Sequence, residues 1–208
     1  TQRIRIRTLG SNFDTRLCVY TGTAVEALTK VAYNDDASTT EKSSEVTFNA
    51  TAGTTYWIGV GPRKSGYTGT VRIETVGVPM NDIFRYATAV NVPTTVKTSV
   101  TGSNVNATLE TGEPSAHGTA SVWWRFKARE SATYTVDTIG SVNTNGASMD
   151  TMLAVYTGTA VNALTLKASN DDNPSGGVTS KLTFATVADT TYYVAVGGYP
   201  TASYRTGS

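Results

Sequence analysis

One cysteine, Cys18, and one histidine, His117, stand in a chain of 208 residues. A lone cysteine makes an internal disulfide impossible. A lone histidine leaves any Ser-His-Asp or Cys-His arrangement a single base to draw on. His117 falls in a loop bounded by Pro114 and Gly118, and no phosphate-cradling glycine motif or nucleophile elbow is present. The sequence therefore reads as that of a non-enzyme. Charge is also scarce, at 16% of residues, with 17 basic side chains against 16 acidic ones. So even a balance gives no electrostatic footprint for nucleic acid or for an anionic membrane surface. No stretch approaches the roughly 18 apolar residues of a membrane-spanning helix, so no membrane insertion is expected.

What the chain has in quantity is Thr, Val, Ala, Gly and Tyr. β-branched and aromatic side chains suit a pleated sheet, and glycine supplies its turns. Several runs alternate with period two. Leu17 and Val19 share one face, as do Tyr56, Ile58 and Val60, then Tyr192, Val194 and Val196. In the run 122–126, Val122, Trp124 and Phe126 point together, with Trp123 and Arg125 opposite. Single helical turns are expected at Val25–Leu28 and within Ile83–Ala89. The fold class that follows is all-β: tandem antiparallel β-sandwich domains of jelly-roll type.

An internal repeat organises the rest. Residues 13–61 return at 149–197 without a gap, and 26 of the 49 aligned positions are identical. A period of about 136 residues is the size of a domain, not of a solenoid turn. The segment ending at Ser11 matches the one ending at Ser141, with an insertion, Val142–Ser148, in the second copy. Two domains follow: 1–79, a first repeat whose opening strands are absent, and 80–208, a second repeat whose last strand is absent. Two explanations stand for these ends. The chain is cut from a longer protein, or strands from a neighbouring subunit complete it.

Asp14 and Asn34-Asp35-Asp36 recur as Asp150 and Asn170-Asp171-Asp172. If the strand after Asp14 pairs as a hairpin with the strand before Asn34, all four meet at one end of the sandwich. Ser44 and Ser180, which open the next strand, belong at that end too. Carboxylates and amide carbonyls are hard oxygen ligands of the kind Ca²⁺ takes, and no His or Cys accompanies them to favour zinc. The alternative is turn chemistry, the side chains bonding local backbone N–H groups. A second acidic group comprises Asn81, Asp82 and Glu113, with Glu110 nearby. It admits the same two readings, metal ligands or caps on a helical turn. Trp57, Trp123 and Tyr193 fall on faces opposite the aliphatic ones. They are candidate exposed platforms for a glycan or a surface protein, or else cover for other structure.

With the opening NDIFRYATAV, the stretch TGEPSAHGTASVWWRF, the strand SMDTMLAVYTG, the NDD loop and TTYYVAVGGY in view, residues 81–208 resemble the bacterial pre-peptidase C-terminal family of domains. Residues 1–78 carry only the later half of the pattern. The resemblance implies a jelly-roll-like sandwich, found as an accessory module on secreted proteases and in large surface proteins. Related collagen-binding domains of clostridial collagenases bind calcium where each module opens, and Asn81-Asp82 matches an Asn-Asp ligand pair there. The acidic residues that precede that pair in those domains are replaced here by Gly77, Val78 and Pro79. The expected role is a calcium-stabilised structural or adhesive module, an array or filament subunit, secreted or on the cell surface, with like modules as partners. The alternative is a carbohydrate- or protein-binding accessory domain of a secreted enzyme.

Overall fold

The computed structural model describes residues 1–94, 96–200 and 206–208. It is all-β, with no helix longer than a single 3-10 turn among the described residues, so none is long and apolar enough to cross a membrane. Two compact units divide between Val78 and Pro79.

Unit 1 contains six strands: β1 (Gln2–Arg7), β2 (Thr15–Thr21), β3 (Thr29–Asn34), β4 (Glu45–Ala50), β5 (Trp57–Pro62) and β6 (Glu74–Val78). They form two three-stranded antiparallel sheets, ordered β4-β1-β6 and β3-β2-β5. Alternation places Ile6, Leu17, Val19 and Val46 between the sheets, with Ile4, Ala32, Phe48, Tyr56 and Val60 packed around them. Leu17 and Val19 are fully buried, as a period-two strand with one inward face requires.

Unit 2 contains β7 (Thr88–Ala89), β8 (Thr119–Lys127), β9 (Thr133–Asp137), β10 (Thr151–Thr157), β11 (Thr165–Asn170), β12 (Lys181–Ala185) and β13 (Thr191–Gly198). Its larger sheet runs β11-β10-β13-β8-β7, with β7 parallel to β8, and faces the pair β12-β9. Phe126, Leu153, Val155, Leu182, Phe184, Tyr192 and Val194 fill the space between. A second apolar cluster lies on the opposite face of the larger sheet. There Phe84 and Ala87, from a 3-10 turn and its end, cover Trp123, Ala154, Tyr156 and Ala195.

The repeated hairpin is the same in both units. β2 pairs β3 and β10 pairs β11, each with one register shift, between Val19 and Tyr20 and between Val155 and Tyr156. Each hairpin turns through a glycine at positive φ, Gly22 or Gly158, into a 3-10 turn, Val25–Ala27 or Val161–Ala163. A Cβ at Gly22 would stand 2.8 Å from the Ala27 carbonyl oxygen, so the turn demands glycine on both counts.

Candidate functional site

The hairpin register sets Leu17 opposite Asn34, and Leu153 opposite Asn170. Asp14 and the loop 34–36 are thereby brought to one end of unit 1, and their counterparts to one end of unit 2. Beneath each loop lies a buried hydroxyl network. Thr8 Oγ1 and Thr15 Oγ1 are 2.6 Å apart, and Thr15 Oγ1 lies 3.0 Å from Ser44 Oγ. The Ser44 backbone N–H donates to both threonine oxygens, and its hydroxyl donates to the carbonyls of Thr15 and Asp35. Thr138, Thr151 and Ser180 repeat every one of these contacts, the serine reaching the Asp171 carbonyl at 3.1 Å. All six side chains belong to buried residues with their groups paired, which is how a polar cluster survives inside a sandwich.

Asn34 and Asn170 belong to this scaffold. Their side-chain oxygens accept the backbone N–H of Glu45 at 3.0 Å and of Lys181 at 2.9 Å, tying the loop to the next strand. The turn chemistry weighed against metal ligation is what these two residues perform. The three carboxylates of each loop remain.

Here the units part. In unit 1, oxygens of Asp14, Asp35 and Asp36 lie within 4.8 Å of one another, the one such grouping of three metal-capable side chains among the described residues. Three cations meet them. Arg16 stands 3.4 Å from Asp35, Arg63 3.4 Å from both Asp35 and Asp36, and Lys42 2.8 Å from Asp36. Three negative charges face three positive ones. In unit 2 the positions aligned with Arg16, Lys42 and Arg63 are Met152, Val178 and Tyr199, none of them charged. Among the described residues no ion pair reaches Asp150, Asp171 or Asp172. Burial, then repulsion from Asp172 and Asp171, pushes the Asp150 carboxyl above its ordinary range. The closer grouping in unit 1 is what cations between carboxylates produce, and the looser one in unit 2 is what mutual repulsion produces.

Both loops offer the oxygen-only donor set that calcium takes. In unit 1, one carboxylate oxygen each of Asp14, Asp35 and Asp36 is buried without a hydrogen bond, so the residues present fit a cation in shape. In charge, Arg16, Lys42 and Arg63 already supply what an ion would. Among the described residues it is the loop of unit 2 that has no ion pair against its carboxylates.

The second acidic group is not a cluster. Asn81 donates from its side chain to the Trp123 carbonyl, Asp82 accepts from the backbone N–H and hydroxyl of Thr108, and Glu110 accepts the Phe84 N–H. Glu113, its side chain 2% exposed, accepts from the Ser121 hydroxyl and from the Trp123 indole at 2.8 Å, with His117 Nε2 at 3.9 Å. Among the described residues Asp82 and Glu113 share no metal-capable group, and Asn81, Asp82 and Glu113 each bond separate partners. Asn81 ties the entry of the unit to β8, Asp82 ties it to Thr108, and Glu113 ties the chain before β8 to that strand, because a buried carboxylate needs donors and finds them locally. His117 is fully buried as well, its Nδ1 2.9 Å from the Tyr156 hydroxyl. Burial, and after it the nearby Glu113 charge, pushes that phenol far above its usual range.

Of the two readings of the aromatics, platform or cover, burial makes Trp123 cover. Trp123 is 0% exposed, edge-on to Phe84 at 5.4 Å and beside His117 and Tyr156. Tyr193 lies half-buried with its ring 4.3 Å from that of Phe84. Only Trp57 stands out, 51% exposed, its indole donating to the Gly22 carbonyl.

The sequence reading missed the threonines of the hydroxyl network, although Thr15 and Thr151 are identical in the aligned copies. It also missed the three cations, whose signal lies in the positions where the copies differ. The chain matches no protein-family model and no curated protein.

Proposed function

We propose that the chain is a non-catalytic β-sandwich repeat module of a secreted or cell-surface bacterial protein, akin to pre-peptidase C-terminal domains. Its role is structural or adhesive, beside like modules in an array or filament. Calcium stabilises it through the loop of Asp150, Asp171 and Asp172. The observation that carries the reading is that acidic triad, set on a hydroxyl-pinned hairpin with no cation against it among the described residues, while its twin in unit 1 is neutralised by Arg16, Lys42 and Arg63. Calcium fits better than magnesium because an adaptable loop of carboxylates and carbonyls suits its larger, irregular shell. Two of the three aromatics that a glycan platform would use lie under protein, so adhesion through sugar is not the role proposed.

The test is thermal unfolding with calcium against chelator, followed unit by unit through hydrogen exchange. At a hundredfold excess over the dissociation constant, calcium is expected to add about 2.7 kcal/mol. That gain belongs to unit 2, leaving unit 1 unmoved. Identical curves with and without calcium remove the ion from the account.

A further inference from the structure

An even charge balance over the whole chain conceals a local surplus on unit 1. β1 is the middle strand of its sheet, with β4 on one side and β6 on the other. Ile4 and Ile6 pack with the core. Alternation therefore turns Arg3, Arg5 and Arg7 to the opposite face, spaced along the strand by roughly 6.8 Å. All three are half-buried, so their stems lie along the sheet instead of trailing in solvent.

The register gives each arginine its neighbours. Arg7 stands between Glu45 and Glu74 and donates to Glu74 at 3.0 and 3.1 Å. Arg5 stands between Thr47 and Val76, and Arg3 between Asn49 and Val78, so neither has a carboxylate opposite it. Arg5 Nε is buried without an acceptor. The Glu74 carboxyl is held low first by the hydrogen bond from Arg7 and then by the charges of Arg7, Arg72 and Arg5, which brings Arg72 into the group. Four arginines thus meet two glutamates, a surplus of two positive charges.

Unit 2 serves as a control on what the fold needs. With Thr8 aligned on Thr138, β9 places Thr133, Thr135 and Asp137 where unit 1 has Arg3, Arg5 and Arg7. It pairs β12 in the register that β1 holds with β4. The same strand forms with threonine at two of these positions, so folding does not call for the arginines. Guanidinium groups beyond the needs of folding point to a bound anion.

The make-up of the face narrows which anion. No aromatic ring lies among Arg3, Arg5, Thr47, Asn49 and Val76, whereas single-stranded nucleic acid leans on rings to stack its bases. Neutral sugars stack on rings too, as the platform set aside above would have required. A uronic acid polymer instead carries a carboxylate on every sugar, the planar oxyanion that a guanidinium fork takes in two bonds. Its hydroxyls suit Thr47 and Asn49.

We propose that this face of β1 and β4 binds an acidic polysaccharide of the uronate type, carboxylates on Arg3 and Arg5 and hydroxyls on Thr47 and Asn49. Recognition is ionic and needs neither calcium nor a neighbouring module. Its failure and the failure of the module reading are therefore separate results.

The test titrates the 208-residue chain, in chelator, with a hexamer of galacturonic acid. The methyl-esterified hexamer, a sulfated hexasaccharide and a single-stranded oligonucleotide run beside it. The acidic hexamer is expected to bind, more weakly as salt screens the charges, and the ester not to bind. In NMR spectra of the wild type, the Nε–H signals of Arg3 and Arg5 are expected to shift on titration. Arg3→Thr with Arg5→Thr installs the residues unit 2 already carries on this strand. That pair is expected to weaken binding about tenfold with the melting temperature kept. Lys30→Thr with Lys64→Thr removes as much charge elsewhere on unit 1 and is expected to leave binding unchanged. No binding of the acidic hexamer, or no shift at Arg3 and Arg5, overturns the proposal. So does an equal loss in the lysine pair, which would reduce the effect to net charge. Tighter binding of the sulfated sugar or the oligonucleotide overturns the ligand named and gives the face to another polyanion.

Discussion

Units 1 and 2 share a hairpin, a hydroxyl network and an acidic loop, yet they balance the loop's charge in different ways. Unit 1 does so internally, with two arginines and a lysine. Among the described residues unit 2 shows no such ion pair, and burial, then repulsion from Asp172 and Asp171, pushes its Asp150 carboxyl up. They differ also in cover. In unit 2 both faces of the larger sheet are packed, while in unit 1 the face corresponding to the second cluster leaves Trp57 exposed. Near-identity of sequence over a motif therefore fixes its shape without fixing its electrostatics or its neighbours.

The largest test of this contrast is removal of Trp123. Trp123→Ala is expected to cost unit 2 about 3–5 kcal/mol, as for a fully buried aromatic. Trp57→Ala should cost unit 1 about 1 kcal/mol, since half of that side chain is already in water. Equal losses in urea titrations would break the comparison.

A second test exchanges the charge solution. The triple substitution Met152→Arg, Val178→Lys and Tyr199→Arg is expected to abolish the calcium gain of about 2.7 kcal/mol in unit 2 without a change of fold. A response that survives all three would show that the cations are not what distinguishes the loops.

What is common should respond in common. Thr15→Val and Thr151→Val each strip partners from a buried threonine and serine, for an expected loss of about 2 kcal/mol in either unit. A difference above about 1 kcal/mol between them would show that the two networks are not equivalent.

The smallest effect is one of pH. A carboxyl whose folded pKa is raised binds its proton more tightly in the native state, so stability falls as pH rises from the unfolded to the folded value. In chelator, Asp150→Asn is expected to make unit 2 more stable than the wild type at neutral pH, with the advantage shrinking as pH falls through that window. Glu74 of unit 1, held low by its hydrogen bond and charge pairing with Arg7, works in the opposite sense. Its contribution is present above the ordinary glutamate range and is lost as pH falls through the depressed value.

The fold and the position of the acidic loop were legible because they rest on local rules. Alternation at Leu17 and Val19 gives the inward face, and the repeat makes the hairpin visible twice. Between platform and cover for Trp123 the sequence could not decide, for a physical reason. Period-two reasoning assigns one face of β8 to solvent, but Phe84, Ala87 and the 3-10 turn Ser115–His117 cover that face. Such cover comes from irregular chain, which has no periodicity to read. Asp82 and Glu113 left two readings open in a similar way. An acidic residue near a module boundary resembles a ligand until its donors, Thr108, Ser121 and Trp123, are located in space.

The repeated hairpin also bears on how the chain folds faithfully. Tandem domains that are alike invite mispairing, in which a strand of one joins its counterpart's partner in the other. β2 has two related suitors, β3 and β11, identical at three of six positions. Only β3 is reached through the short turn at Gly22–Leu28, so closure costs little entropy and the correct partner arrives first. The register shift after Val19, matched after Val155, then locks a pairing that would otherwise slide. The turn acts as a kinetic proofreader, allowing two sibling sequences to share one polypeptide.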